Sequence, residues 1–337
     1  MADIDKLIQS INKKYKKDIV MRGTDIKQRE MIPFTSPKAN WLTRGGIAKG
    51  KMSEFYGGEG AGKTTLALDV LANYQKLDDR PAVYLDAENT LDREHGTLLG
   101  VNWEKVILIK PDEESAETLL DMILDLFRSG EVGFGVIDSI PFLMSEQAIK
   151  GGLADKTYAG NSAVMTAFSS KIIPNLAKYD STLIMINQIR DKIGVLYTAY
   201  NTPGGRMLKH SYVQRIFLRK GSLLDENYNE KSSSYENPVG HIIQMNLMKN
   251  KVTQNDRHLS SFTLIYDKGI DVIKDTIDLA IYYNIIVQAG SWYRIMDLET
   301  GEILEKFQGQ GDLIKYLKEN KEEFNNILEI IDRKVRE

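Results

Sequence analysis

Apolar residues along the chain follow two rhythms. Short runs rich in Val, Ile, Leu, Phe and Tyr stand at 52-MSEFY, 82-AVYLDA, 106-VILIK, 133-GFGVIDS, 182-TLIMIN, 213-VQRIFLRK, 241-HIIQMNLMK and 259-LSSFTLIY, and each predicts a β-strand. Between the earlier runs, amphipathic segments over 65–76, 115–128 and 161–178 predict helices. Apolar strands separated by amphipathic helices predict an α/β fold, a mostly parallel sheet flanked by helices on both faces. The later strands lack intervening helices, so that edge of the sheet is expected to be antiparallel. Leu7, Ile8, Ile11 and Tyr15 recur at helical spacing and predict a short N-terminal amphipathic helix, whose apolar face is covered by this chain or by a neighbouring one. From about Lys268 the pattern changes, with helices expected around 292-WYRI and 302-EILEKF and a mixed-charge helix over 312–337. The expected organisation is a small N-terminal helical segment (1–33), a core (34–267) and a small α+β C-terminal domain (268–337). No internal repeat or low-complexity segment interrupts it.

Composition narrows the class. At 337 residues, 42% hydrophobic and 27% charged, the chain has the make-up of a globular protein able to bury a sizeable core. No run of eighteen apolar residues predicts a membrane span. The start, MADIDKLIQSINKKYKK, has no apolar stretch of the kind a secretory signal needs. The sequence has no cysteine, which excludes disulfides and thiolate metal sites and suits a reducing cytoplasm. Net charge is −3, so any contact with nucleic acid must come from a local patch. Residues 1–31 carry eight Lys/Arg against five acids, a local net of +3.

The chemistry begins at 57-GGEGAGKTT-65, which fits G-x-x-x-x-G-K-[ST]. Gly57, Gly58, Glu59, Gly60, Ala61, Gly62, Lys63, Thr64 and Thr65 lie between a predicted strand and a predicted helix. Glycines there turn successive N–H groups toward phosphates, and the helix aims its positive end at them. Lys63 is expected to reach the β- and γ-phosphates of ATP, and Thr64 to place its hydroxyl on Mg2+. The apolar strand 134-FGVIDS-139 ends in Asp138, a carboxylate positioned to hold Mg2+ through water. At the end of 83-VYLDAEN-89, Glu88 is either the base that deprotonates the attacking water or a cap for the next helix or loop, while Asp86 is expected to make structural hydrogen bonds.

The run 184-IMINQIRDKIG-194 puts two neutral amides, Asn187 and Gln188, at a strand end. Such groups sense a γ-phosphate without repelling it. A long Gly-, Thr-, Asn- and Tyr-rich segment extends from there to His210, with basic residues at 190, 192, 206 and 209. Loops of this length inside compact domains are functional or disordered, and its position after Gln188 is a switch geometry.

These residues resemble the RecA-type recombinases, bacterial or phage-encoded. The match covers nearly the whole chain through 16-KKDIVMRGTD-25, GGEGAGKTT, 84-YLDAENTLD-92, 128-RSGEVGFGVIDS-139, 187-NQIRDKIGV-195, 203-PGGRMLKH-210, 248-MKNKV-252 and 290-GSWY-293. The resemblance implies a RecA-like P-loop ATPase core and a helical filament on single-stranded DNA, with ATP bound between protomers. It implies that Glu88 activates water, that Gln188 reports the γ-phosphate, and that Lys249 and Lys251 reach the neighbour's ATP in the manner of an arginine finger. By the residues alone, Lys249-Asn250-Lys251 reads as a solvated strand end. The match also places Asp92 and His95 at the nucleotide. Two loops, about 150–161 and 189–208, correspond to the family's DNA channel, where Lys171, Arg190, Lys192, Tyr197, Gly204, Gly205 and Arg206 are the candidate contacts. Tyr200 is a second candidate for stacking on bases. The C-terminal domain is the family's place for double-stranded DNA, with Lys306, Lys315, Lys318 and Lys321 as candidate contacts.

Departures from the family are local. His95 stands where a tyrosine beside adenine is frequent, and a histidine there adds a titratable ring. Pro203 precedes the paired glycines, Arg206 replaces a usual asparagine, and Val164 a common basic residue. The chain ends EIIDRKVRE in place of a strongly acidic tail. A ring-forming helicase or translocase on the same core is the alternative, and a DNA-binding mediator without turnover is disfavoured by Lys63, Glu88 and Asp138. The expected setting is the cytoplasm of a bacterial or phage-infected cell.

Overall fold

The computed structural model describes residues 4–25, 30–151, 160–191, 200–226 and 228–336. Residues 1–30 and 31–337 form two compact units. In the first, helix α1 (Ile4–Tyr15) is followed by a 3-10 turn at Gly23–Asp25. The turn is tied back by Arg22, which pairs with Asp5 at 2.7 Å, and by Asn12, whose side-chain amide donates to the Val20 carbonyl at 2.9 Å.

The second unit opens with β1 (Met31–Ile32), which pairs antiparallel with β2 (Ile47–Ala48) around α2 (Pro37–Thr43). Ser36 caps α2, its hydroxyl accepting from the Ala39 N–H at 3.1 Å, and Pro37 occupies the first turn, where no N–H is needed. The large sheet then forms from β3 (Met52–Gly57), β4 (Ala82–Asp86), β5 (Val106–Ile109), β6 (Phe134–Asp138), β7 (Thr182–Gln188) and, after the short pair β8 (Arg190–Asp191) and β9 (Tyr200–Asn201), β10 (Gln214–Leu224). These six sheet strands run parallel in the order β10-β3-β7-β6-β4-β5. A small strand, β11 (Glu230–Lys231), pairs with the end of β10. Beyond β10 lie β12 (Gly240–Asn250), β13 (Leu259–Ile265) and β14 (Gly269–Ile270), all antiparallel, as the missing helices predict.

Two apolar layers cover the sheet. One packs α3 (Lys63–Tyr74) and α2 against Phe55, Tyr84, Val136, Ile186 and Ile243. The other packs α5 (Ala116–Ser129) and α7 (Gly160–Tyr179) against Val83, Leu85, Ile137, Leu183 and Met185. Alternate residues of the same strands serve the two layers, which is why the runs are apolar throughout. The shorter helices α4 (Arg93–Leu98), α6 (Glu146–Lys150) and α8 (Gly205–Ser211) lie in the connections.

The C-terminal part corrects the sequence reading. The segments 292-WYRI and 302-EILEKF are strands, not helices: β15 (Ile286–Ala289), β16 (Trp292–Met296) and β17 (Ile303–Gln308) form an antiparallel sheet. Tyr293 and Ile295 are buried with period two, and turns at Gly290 and Gly301 need the positive φ they adopt, +61° and +74°. The expected terminal helix is two, α10 (Gln310–Glu319) and α11 (Lys321–Arg336), broken at Asn320, whose backbone and side-chain N–H groups both donate to the Tyr316 carbonyl. With α9 (Val272–Tyr282) they enclose a third apolar cluster, on which Trp41 of α2 also packs.

Candidate nucleotide-binding site

The loop from Gly57 to Thr65 joins β3 to α3 at the C-terminal edge of the parallel strands, where open α/β sheets bind ligands. Gly62 has φ +84°, and a Cβ there would stand 2.5 Å from Cδ1 of Ile243. Only glycine meets both conditions. Helix α3 begins without a side-chain cap, which leaves its first N–H groups for an anion. The Lys63 ammonium donates to the Gly58 carbonyl at 2.6 Å. Burial lowers its pKa, against the opposing pull of Asp138, Glu88 and Glu59.

A cavity of about 380 Å³ opens over the loop. Glu59, Gly60, Ala61, Gly62, Lys63, Thr64 and Thr65 line it, with Glu88, His95, Asp138 and Gln188; Gly57 and Gly58 do not. Asp138 accepts from the hydroxyls of Thr64 at 2.7 Å and Tyr84 at 2.8 Å. Desolvation raises its pKa to about 6, despite those hydrogen bonds and the nearby Lys63. A buried carboxylate beside a hydroxyl is a hard oxygen pair, and its raised pKa marks an anion short of positive charge, so the two fit Mg2+. Among the described residues no group of three or more His, Cys, Asp or Glu converges as an all-protein metal site, and a cation here would complete its shell with phosphate and water.

Glu88 follows β4, its N–H and that of Ala87 donating to the Asp138 carbonyl. Its carboxylate accepts from the Ser139 hydroxyl and, at 3.0 Å, from the side-chain amide of Gln188. It does not cap the following helix: Asp92 does that, accepting from the N–H groups of Glu94 and His95 at 2.8 and 3.1 Å. Helix α4 thereby brings His95 to the loop, with Nε2 3.0 Å from the Thr65 hydroxyl. Asp86 accepts from the N–H groups of Thr90 and Leu91, the structural role expected of it.

Three lining residues escaped the sequence reading: His241, Leu264 and Tyr266. Strand β12 runs antiparallel to β10, so its first residues share an edge with the phosphate loop, and β13 returns its last residues to the same edge. The signal was a histidine at the start of a strand already assigned to the antiparallel edge.

Lys249 and Lys251 stand at the other edge. Lys249 is in register with Arg215 and thence Glu54, near the beginning of β3. Roughly 25 Å of strand, at ~3.3 Å per residue, separates Lys249 from His241. The Lys249 ammonium donates to the Lys209 and His210 carbonyls at 2.7 and 3.0 Å, and Lys251 to His210 at 3.4 Å, capping α8. Burial, then Lys251 and Arg215, lower the pKa of Lys249 to about 8.

The long segment after Gln188 is anchored at both ends. Asn187 donates to Glu54 at 2.9 Å and to the Pro203 carbonyl at 3.0 Å, and Arg215 donates to Glu54 and to the Thr202 hydroxyl at 3.3 Å. The backbone of Arg190 pairs with that of Asn201. Gly204 and Gly205 begin α8 with φ +99° and +83°, and Arg206 is exposed just beyond. Lys171 is exposed on α7. Lys192 and Tyr197, and most of the loop 150–161, lie outside the described residues. No helix among the described residues is long and apolar enough to cross a membrane.

A phosphate loop after a buried parallel strand, with an acid at the end of a second strand across the cavity, defines a P-loop nucleotide-binding protein of the α/β class. The family described as the RecA N-terminal domain matches residues 2–271, and the chain belongs to the RecA family. It is 33% identical to protein RecA of Aquifex aeolicus over 99% of this chain and 92% of the relative, and 32% identical to that of Staphylococcus epidermidis over 99% and 90%. Protein RecA of Fusobacterium nucleatum is 35% identical over 79% of this chain and 68% of its own length. Membership makes the chain a nucleotide- and DNA-binding, filament-forming, DNA-dependent ATPase of recombination and repair. Likeness to RecA proteins along the full length does not favour the ring-forming helicase alternative.

Proposed function

We propose that the chain binds ATP and Mg2+ in the cavity over the phosphate loop, assembles as a helical filament on single-stranded DNA, and exchanges homologous strands with a duplex. The Glu88–Gln188 hydrogen bond supports this reading most directly, because it joins the candidate base to the strand that leads into the long basic segment. Lys63 and the α3 N–H groups hold the β- and γ-phosphates. Thr64, and Asp138 through water, would hold Mg2+, which when bound neutralises phosphate charge. Glu88 takes the proton of the attacking water at its carboxylate. A γ-phosphate oxygen competes for the Gln188 amide, draws it from Glu88 and pulls on the end of β7, and so on Arg190. Lys249 and Lys251, too far along the sheet to serve their own cavity, reach the nucleotide of the next protomer, which makes turnover depend on assembly. Lys171, Arg190, Lys192 and Arg206, with the backbone at Gly204 and Gly205, contact phosphates of the single strand, and Tyr197 stacks on its bases. Lys306, Lys315, Lys318 and Lys321 meet the duplex.

ATP hydrolysis by the purified protein, with and without single-stranded DNA and beside Lys63→Ala, tests the reading. Strong stimulation by DNA that is lost in the variant is the expected outcome. Turnover indifferent to DNA would remove the proposed link between Gln188 and the DNA loop.

A further inference from the structure

His241 is a buried polar residue with an unmet bond. It is 6% exposed, sits at the start of β12 and lines the nucleotide cavity with Leu264 and Tyr266. Its neighbour on the same strand face is Ile243, the residue that packs under Gly62 of the phosphate loop. Nδ1 lies 3.3 Å from the Tyr266 hydroxyl, with the two rings 5.6 Å apart. Nε2 is buried and has no hydrogen-bond partner among the described residues. Leaving such a group unpaired costs free energy that a hydrophobic residue would not. Burial, with Lys220 nearby, lowers the pKa of the ring to about 4, so the imidazole is neutral at physiological pH.

We propose that His241 is a specificity-determining residue whose Nε2–H hydrogen-bonds the nucleoside part of the bound nucleotide. The inference rests on the nucleotide reading of the cavity given above. In this assignment the Tyr266 phenol is the donor to Nδ1, the direction that puts the ring proton on Nε2. A neutral donor flanked by Leu264 and an aromatic ring suits an uncharged acceptor on a base edge or a ribose, since Lys63 and the helix N-terminus already supply positive charge for the phosphates. The unpaired nitrogen in the free protein is therefore a group held ready for ligand, at some expense of stability.

The test is ATP affinity by titration calorimetry, with thermal unfolding of the ligand-free protein, for wild type, His241→Phe and His241→Gln. His241→Phe keeps a ring of similar shape and removes both nitrogens; His241→Gln keeps a side-chain N–H near the position of Nε2. The expected result is an affinity for ATP about tenfold weaker in His241→Phe, equal to ~1.4 kcal/mol, with ligand-free melting unchanged or raised and affinity largely kept in His241→Gln. Repeating the titration with 2′-deoxy-ATP separates the acceptors: a loss confined to ATP assigns the bond to the ribose 2′-hydroxyl, and a loss common to both nucleotides assigns it to the base or to another ribose oxygen. His241→Phe binding within twofold of wild type overturns the proposal, as does an equal loss in both variants, which would mean a packing role. Wild-type protein that binds no ATP defeats the nucleotide reading itself, and the proposal with it.

Discussion

Gln188 and Glu88, a hundred residues apart in the chain, share a hydrogen bond of 3.0 Å at the nucleotide cavity. One ends the strand that runs into the long basic segment; the other is the candidate base. Glu88→Gln keeps the shape and removes the base, so DNA-stimulated hydrolysis should fall by roughly 10²–10⁴-fold while nucleotide affinity stays near wild type. Gln188→Ala should instead leave slow basal turnover and abolish its response to DNA. Steady-state hydrolysis with and without single-stranded DNA separates the two, and an unchanged DNA response in Gln188→Ala would break the proposed link.

The lysines at the far edge of the sheet make a different prediction. Lys249→Met or Lys251→Met should reduce DNA-dependent turnover by on the order of 10³, with nucleotide binding by isolated protomers unaffected. Because burial brings the pKa of Lys249 down to about 8, its charge is lost as pH rises through that value. Filament nucleation followed by light scattering should therefore slow between pH 7 and 9. Lys249→Arg, which stays charged, should be flat over the same range; parallel slopes in both proteins would argue against the role.

Gly62→Ala should destabilise the fold through two separable effects. A positive φ costs a non-glycine residue roughly 1–2 kcal/mol, and the added methyl meets Cδ1 of Ile243 at 2.5 Å. Ile243→Val removes that carbon. The double variant should recover part of the stability lost in Gly62→Ala, the share due to the contact and not to the backbone. No recovery in thermal unfolding would place the whole cost in φ.

Asp275 predicts a pH dependence of stability. Its carboxyl is 1% exposed, hydrogen-bonded to the Ser36 hydroxyl, and pushed by burial up to about 8. The folded pKa lies above the ordinary value of 3.8, so the stabilisation from the protonated acid is full below about pH 4 and lost as pH rises through 8. Asp69 and Asp138, each pushed up to about 6, act with the same sign at lower pH. Between pH 6.5 and 7.5 the remaining slope belongs chiefly to Asp275 and should lower Tm by roughly 2 °C per unit. Asp275→Asn should flatten that window, and an unaltered slope would rule the assignment out.

The central parallel strands were legible because strands buried on both faces read as unbroken apolar runs, and the three long helices because they stand between those runs. The phosphate loop and the strand ending in Asp138 were legible because each motif is carried by contiguous residues. The strands at 292–296 and 303–308 were misread because five or six residues are too few to separate a period of two from one of 3.6. His241 and Tyr266 were missed for a topological reason: which end of an antiparallel strand meets the phosphate loop is set by register with β10, not by anything within the strand. The capping of α8 by Lys249 and Lys251 is non-local in the same way.

Trp41 has a further consequence. Its ring stacks edge-on against Tyr282 at 5.7 Å, Arg257 lies over it at 5.0 Å, and the same arginine donates to the Trp41 carbonyl at 2.7 Å and the Val335 carbonyl at 3.3 Å. Helix α2, the loop after β12 and the last turn of α11 are thus fastened at one point. A protease cut near Lys268 would leave two pieces that still travel together as a single particle on gel filtration. A gene truncated at the same place would yield a protein with Trp41 and Ser36 stripped of their partners, prone to clump.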